Sequence, residues 1–112
     1  MGRFGGPTAA EVLERCAPYL DGDEAVLASV VGSTVNGRLL YVVTERSVQV
    51  IRLGPSIGSG LRPKELVGSW RRGEAEVEEG IASIRVGPHR AKVRLSHRAR
   101  AAEVALLASS PR

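Results

Sequence analysis

Apolar and polar positions alternate with a period of two through most of this chain, and recur at helical spacing only near its two ends. Near the N-terminus, Val12, Leu13, Cys16, Ala17 and Leu20 lie three and four residues apart, which predicts a helix over 8–20 with one apolar face. Thr8-Ala9-Ala10-Glu11 opens it as a capping box, in which the Thr8 hydroxyl accepts from the amide three residues on and Glu11 reaches back. Pro18 ends or kinks the helix, and Asp21-Gly22-Asp23 turns the chain. Residues 1–7 read as a flexible, glycine-rich arm.

Strand patterns follow. A Val-rich strand is predicted over 24–31, then a loop over 32–37 that ends in Asn36-Gly37. Leu39, Tyr41 and Val43 alternate with Leu40, Val42 and Thr44, so both faces of this strand are apolar and it belongs in the middle of a sheet. The next strand, over 47–53, sets Val48, Val50 and Arg52 on one face and Gln49, Ile51 and Leu53 on the other. Thr44-Glu45-Arg46 joins the two, with the Thr44 hydroxyl and Glu45 carboxylate expected to bond turn amides. The Gly- and Pro-rich stretch 54–64 reads as a long loop. Four further strands are expected, over 66–71 with Trp70 inward, 74–79 at an edge, 81–86 with Ile84 and Val86 inward, and 91–95 with Val93 and Leu95 inward. Ser96 then caps a helix over 97–108, with Ala99, Ala102, Val104, Leu106 and Leu107 as its apolar stripe.

This order resembles that of the bacterial pleckstrin-homology-like (PH-like) domains, which are related to the GRAM and PH folds. In that family a helix and a Leu-x-x-Gly-Glu turn lead into the first strand; here Leu20-Asp21-Gly22-Asp23-Glu24 stands in that place, with Asp23 inserted. The family's hairpin of the form apolar-Thr-Asp-Arg-Arg-apolar is matched by Val43-Thr44-Glu45-Arg46-Ser47-Val48, with Ser47 replacing the second Arg. The resemblance spans 8–108. It implies an α+β, mainly β fold: a seven-stranded antiparallel partial barrel over 21–110 with a C-terminal capping helix, plus an additional N-terminal helix. It also implies a non-enzymatic binding or adaptor module.

A chain of 112 residues with 43% hydrophobic and 25% charged residues is expected to form one domain with one core. Cys16 is the single cysteine and reads as a small buried residue in a reducing, cytoplasmic setting. No apolar run is long enough for a signal peptide or a membrane span. Arg, Ala, Gly and Val are favoured over Lys, Ile and Asn, the usage expected of a GC-rich bacterial genome. The formal net charge of +4 is unevenly spread. Residues 1–84 hold nine Lys/Arg against eleven Asp/Glu, a net of −2, and residues 85–112 hold seven against one, a net of +6.

Catalytic signals are weak. Gly54-Pro55-Ser56-Ile57-Gly58 matches the G-x-S-x-G nucleophile elbow, with Glu65 and His89 following in hydrolase order, but 59–63 cannot open the helix that an elbow requires. Pro63 breaks the dinucleotide fingerprint, and the Gly-Lys-Ser/Thr of a P-loop is missing. Two histidines and one thiol make no metal set, and the carboxylates Glu74, Glu76, Glu78 and Glu79 read as a solvated face. No catalytic residue, metal or cofactor is expected.

The basic end is the sharper signal. Arg90, Lys92, Arg94, His97, Arg98 and Arg100 surround the last strand and the start of the last helix. Positive charge at a helix N-terminus opposes the dipole, which makes sense where an anion docks, although a plain solvated surface has the same composition. Ser56, Gly58, Gly60, Arg62 and Lys64 are candidate contacts on the 54–64 stretch. A protein partner is the expected ligand. The alternative is an anionic lipid headgroup or nucleic acid; against nucleic acid, Phe4, Tyr19, Tyr41 and Trp70 are the only aromatics, and three of them are expected in or near the core.

Overall fold

The computed structural model describes residues 25–35, 37–56 and 60–111, with backbone alone at 55–56 and 60–63. The arm over 1–7, the capping box and the helix over 8–20 lie outside the described residues. The fold is mainly β. The strands are β1 (Val26–Thr34), β2 (Gly37–Thr44), β3 (Ser47–Ser56), β4 (Gly60–Arg71), β5 (Val77–Gly80), β6 (Ser83–Val86) and β7 (His89–Lys92). A 3-10 turn (Leu95–His97) leads into helix α1 (Arg98–Ser109).

Seven antiparallel strands make one open sheet in the order β4-β3-β2-β1-β7-β6-β5. Registers such as Ala28↔Val43, Tyr41↔Val50 and Val48↔Trp70 stack alternate residues onto one face, as a period of two requires. That face carries Val30, Leu39, Tyr41, Val43, Val48, Val50, Ile84 and Val86, and α1 covers it with Ala101, Val104, Ala105 and Ala108. β2 is buried on both faces from Leu39 to Thr44, as expected of a central strand. The strand expected over 24–31 is found as β1 from Val26, and it runs on to Thr34, so the loop expected over 32–37 is cut to the short connection before Gly37; residue 24 lies outside the described residues. Gly37 opens β2 at φ +140°, a backbone conformation that glycine tolerates and other residues rarely adopt.

The hairpin tip is self-bonded in part as expected. Thr44 Oγ1 accepts from the Ser47 amide at 3.1 Å and lies 2.8 Å from Ser47 Oγ. Glu45 contributes its carbonyl rather than its carboxylate, accepting from Arg72 Nη1 at 3.1 Å.

Several expectations are corrected. The stretch 54–64 is not a long loop: the β3–β4 ladder continues through Leu53↔Pro63, Gly54↔Arg62, Pro55↔Leu61 and Ser56↔Gly60. β4 is a sheet edge, where Pro63 need not donate to a second neighbour, so a breaker-rich sequence still forms a strand. The edge strand expected over 74–79 is β5 at 77–80; 81–82 form a turn, and the last strand ends at Lys92. Leu95 is not in the core but 69% exposed. Ser96 lies inside the 3-10 turn, and α1 begins after His97 with no side-chain cap. Of the expected helix stripe, Val104 is buried and Leu107 packs partly, whereas Ala99 and Leu106 face solvent. The helix instead docks through its alanines, which permit a closer approach to the sheet than leucines would.

Candidate functional site

The start of β2 and the β6–β7 turn meet across one end of the sheet. Thr34, Arg38, Leu39, Arg52, Pro88, His89 and Arg90 line a cleft of about 170 Å³ there. Local geometry explains each position. The Leu39↔Arg52 pairing continues the core face outward, so Arg52 takes the next same-face position after Val48 and Val50 at the rim. Arg38 is one residue out of phase with Leu39 and is exposed. Gly87 turns the chain at φ +58°. A side chain there would collide with the Trp70 ring, so glycine is what lets the β6–β7 turn close onto β4.

His89 is fixed from three sides. Its Nε2 donates to the Val67 carbonyl at 3.1 Å, its ring meets the half-buried Trp70 edge-on at 6.2 Å, and its carbonyl accepts from the Tyr41 hydroxyl at 2.9 Å. Burial raises the Tyr41 hydroxyl well above the ordinary phenol range, so it remains a protonated donor at any working pH.

The cleft cations differ in what holds them. Arg52 Nε lies 3.2 Å from Glu65 Oε1, its cross-strand neighbour, but off axis; that nitrogen is buried without a hydrogen bond. Arg90 Nη2 meets Glu78 Oε1 at 3.0 Å. Arg38 has no ion pair or hydrogen bond among the described residues. Arg85 and Arg90 stand directly opposite in the β6–β7 ladder, a repulsive pairing that Glu78 offsets by bonding both.

The hydrogen bond and charge of Arg85, reinforced by Arg90, hold the Glu78 carboxyl below its ordinary range. Its contribution to stability is complete above the unfolded glutamate value and is lost as pH falls through the lowered folded value. The urea midpoint is therefore expected to decline below about pH 4, and Glu78→Gln should remove that part of the decline. An unchanged acid limb in Glu78→Gln would show that the pairing is not linked to folding.

The residues expected to bind are only partly brought together. Arg90 lines the cleft. Lys92 and Arg94 are exposed and Val93 is buried, as the predicted alternation requires, but it stops there, because Leu95 is exposed. His97 is half-buried before α1, and Arg98 and Arg100 are exposed in its first turn, which holds no acidic residue. Ser56 and Gly60 pair at the end of the β3–β4 ladder, Arg62 pairs with Gly54, Lys64 is exposed on β4, and Gly58 lies outside the described residues. The G-x-S-x-G match thus runs from strand to strand, which is not the strand-to-helix path of a nucleophile elbow.

Thr34, Arg38, Arg52 and Pro88 were not singled out from the sequence. Arg52 carried a usable signal, a cation on the same face as Val48 and Val50. No helix among the described residues is long and apolar enough to cross a membrane. No protein-family model, curated protein or solved structure matches this chain.

Proposed function

We propose that this chain is a non-enzymatic PH-like binding module that acts in the cytoplasm by docking a protein partner through an acidic segment. The strand order with a C-terminal helix over one face supports reading the sheet as a PH-like partial barrel. The observation that carries the function is the cleft that gathers Arg38, Arg52, His89 and Arg90, with Arg90 also opening the basic run through Lys92, Arg94, Arg98 and Arg100. Glu65 and Glu78 already rest against Arg52 and Arg90. Carboxylates therefore suit these guanidinium groups, and an incoming acidic side chain can exchange with the internal ones.

A second reading, a phosphate-bearing lipid headgroup, is favoured by the size of the cleft, which suits one tetrahedral anion between arginines. Nucleic acid is less favoured, because Tyr41 is buried and the Trp70 ring packs against the core and His89.

The test is fluorescence anisotropy with a labelled Asp/Glu-rich peptide, alongside sedimentation with vesicles that do or do not contain anionic phospholipid. Peptide binding is expected at low salt, weakening with ionic strength. Combined Arg38→Glu and Arg52→Glu substitution should weaken it by about tenfold per reversed charge. Binding to anionic vesicles but not to peptide selects the second reading. Absence of both, or a double reversal without effect, overturns the cleft as the site.

A further inference from the structure

The outer side of α1 carries an apolar stripe that the fold leaves in solvent. Ala101, Val104, Ala105 and Ala108 dock the helix on the sheet. On the opposite side Ala99 and Leu106 are exposed and Ala102 is half-buried, at the three- and four-residue steps of one helix face. Leu95, in the 3-10 turn, stands four residues before Ala99 and extends the stripe. Its two leucines, Leu95 and Leu106, are 69% and 66% exposed. The Val93 amide donates to the Ala82 carbonyl at 2.8 Å, which brings the β5–β6 turn and its exposed Ile81 beside the start of the stripe. The series Leu95, Ala99, Ala102, Leu106 reads the same from either end, with steps of four, three and four. Charge does not. Arg94, Arg98 and Arg100 precede the midpoint with no acidic residue among them, whereas 101–111 hold Glu103 and no Lys or Arg. The side chains of Arg98, Arg100 and Glu103 are exposed, with no ion pair or hydrogen bond among the described residues.

We infer that two copies of this chain associate through α1, antiparallel about a twofold axis, with Leu95 of each copy against Leu106 of the other and Ala99 against Ala102. A twofold contact must be self-complementary, and the palindromic stripe is. The central alanines let the two helix axes approach to about 8 Å, the close end of helix packing. Charge selects the orientation. Antiparallel pairing sets the basic first turn of each copy beside Glu103 and the negative end of the helix dipole of the other. Parallel pairing would set the two arginine-rich ends side by side, a repulsive arrangement. The contact is only about 20 Å long and one helix wide. Association is therefore weak and reversible, with a dissociation constant on the order of 100 µM. None of the four stripe residues lines the cleft, so the inference stands apart from the binding reading above.

Sedimentation equilibrium of the full chain from about 10 µM to 1 mM tests this, with a monomer–dimer equilibrium expected across that range. Leu106→Glu alters an exposed position, so it should leave the urea midpoint unchanged while weakening association at least about tenfold. Orientation is read by cysteines in a Cys16→Ser background under mild oxidation. Leu95→Cys and Leu106→Cys chains should cross-link when mixed. Neither should cross-link with itself, because antiparallel pairing holds like positions about 16 Å apart. A monomer at every concentration overturns the inference, and protection of Leu106→Cys from a thiol reagent in that monomer would assign the stripe to another segment of the chain. A dimer undiminished by Leu106→Glu is built elsewhere and overturns it equally. Self-cross-linking of Leu106→Cys, or no cross-link in the mixture, overturns the antiparallel register.

Discussion

Val43→Asp is expected to abolish the folded state. Val43 is fully buried near the middle of the sheet, opposite Ala28 on β1 and Val48 on β3, in the cluster closed by α1. The side chains of that cluster are hydrophobic, with no charged residue among them. A carboxylate there must either remain charged without water or take up a proton, and each costs several kcal/mol. A small domain holds only about 5–15 kcal/mol in total. Val43→Ala leaves a cavity without a charge and is expected to cost roughly 1–3 kcal/mol, so it serves as the folded control. Circular dichroism with urea denaturation separates the two. A cooperative transition in Val43→Asp with less than about 2 kcal/mol lost would show that this strand is not central.

Arg72→Ala is expected to be the next most damaging of these changes, at about 2–3 kcal/mol. Arg72 Nε donates to the Leu107 carbonyl at 2.9 Å, and its Nη1 donates to the Glu45 carbonyl at 3.1 Å. The backbone continues the same staple, with the Arg72 amide on the Arg46 carbonyl at 3.0 Å and the Gly73 amide on the Ala108 carbonyl at 2.9 Å. Leu107 and Ala108 lie in the last turn of α1, where carbonyls lack the usual partner four residues on and the dipole favours a cation; the Leu107 carbonyl accepts from the Ser110 amide at 3.3 Å as well as from Arg72. One guanidinium therefore joins the β2–β3 turn to the C-terminal end of the helix. Arg72→Lys should recover only part of the loss, because an ammonium cannot span both carbonyls in the fork geometry. Urea midpoints read the cost, and limited proteolysis near the C-terminus reads the release of α1. A loss below about 0.5 kcal/mol in Arg72→Ala would show that the staple carries no stability.

The cleft depends on this frame only indirectly. Its cations come from the rims of β2, β3 and β7, and its floor is fixed by the Tyr41 hydroxyl and the His89 ring. Damage at Arg72 should lower stability before it alters the cleft, whereas Arg38→Glu should alter binding with little change in stability. Arg38 is exposed and unpaired among the described residues, so a reversed charge there breaks nothing in the fold.

The strands were legible where the pattern was local. Leu39 to Thr44 and Val48 to Leu53 announce a central pair, because a strand buried on both faces needs apolar residues at successive positions. Ile84, Val86 and Val93 were placed inward correctly for a different reason, the period-two alternation of a strand with one face buried. The stretch 54–64 misled because glycine and proline are read as breakers, while an edge strand need not satisfy ladder bonds on its outer side. The helix face misled because alanine occurs all around α1, and no single stripe stands out over 98–109. Arg90 was found in advance, but Arg38 and Arg52 were not, since nothing local marks two arginines at the open end of the β2–β3 hairpin as neighbours of His89.

The sequence alone determined the local periods: the two-residue alternation of β1 to β3, the Thr44 turn, the glycine at the start of β2 and the basic composition of the last quarter. These depend on near neighbours, whose sterics and hydrogen bonds act within a few residues. Only the tertiary structure decided which face of α1 docks, how far the β3–β4 hairpin extends, and that Thr34, Arg38, Arg52, His89 and Arg90 share a cleft. Those outcomes follow from strand order and register, which are set by all the pairings together and are written in no single stretch of the chain.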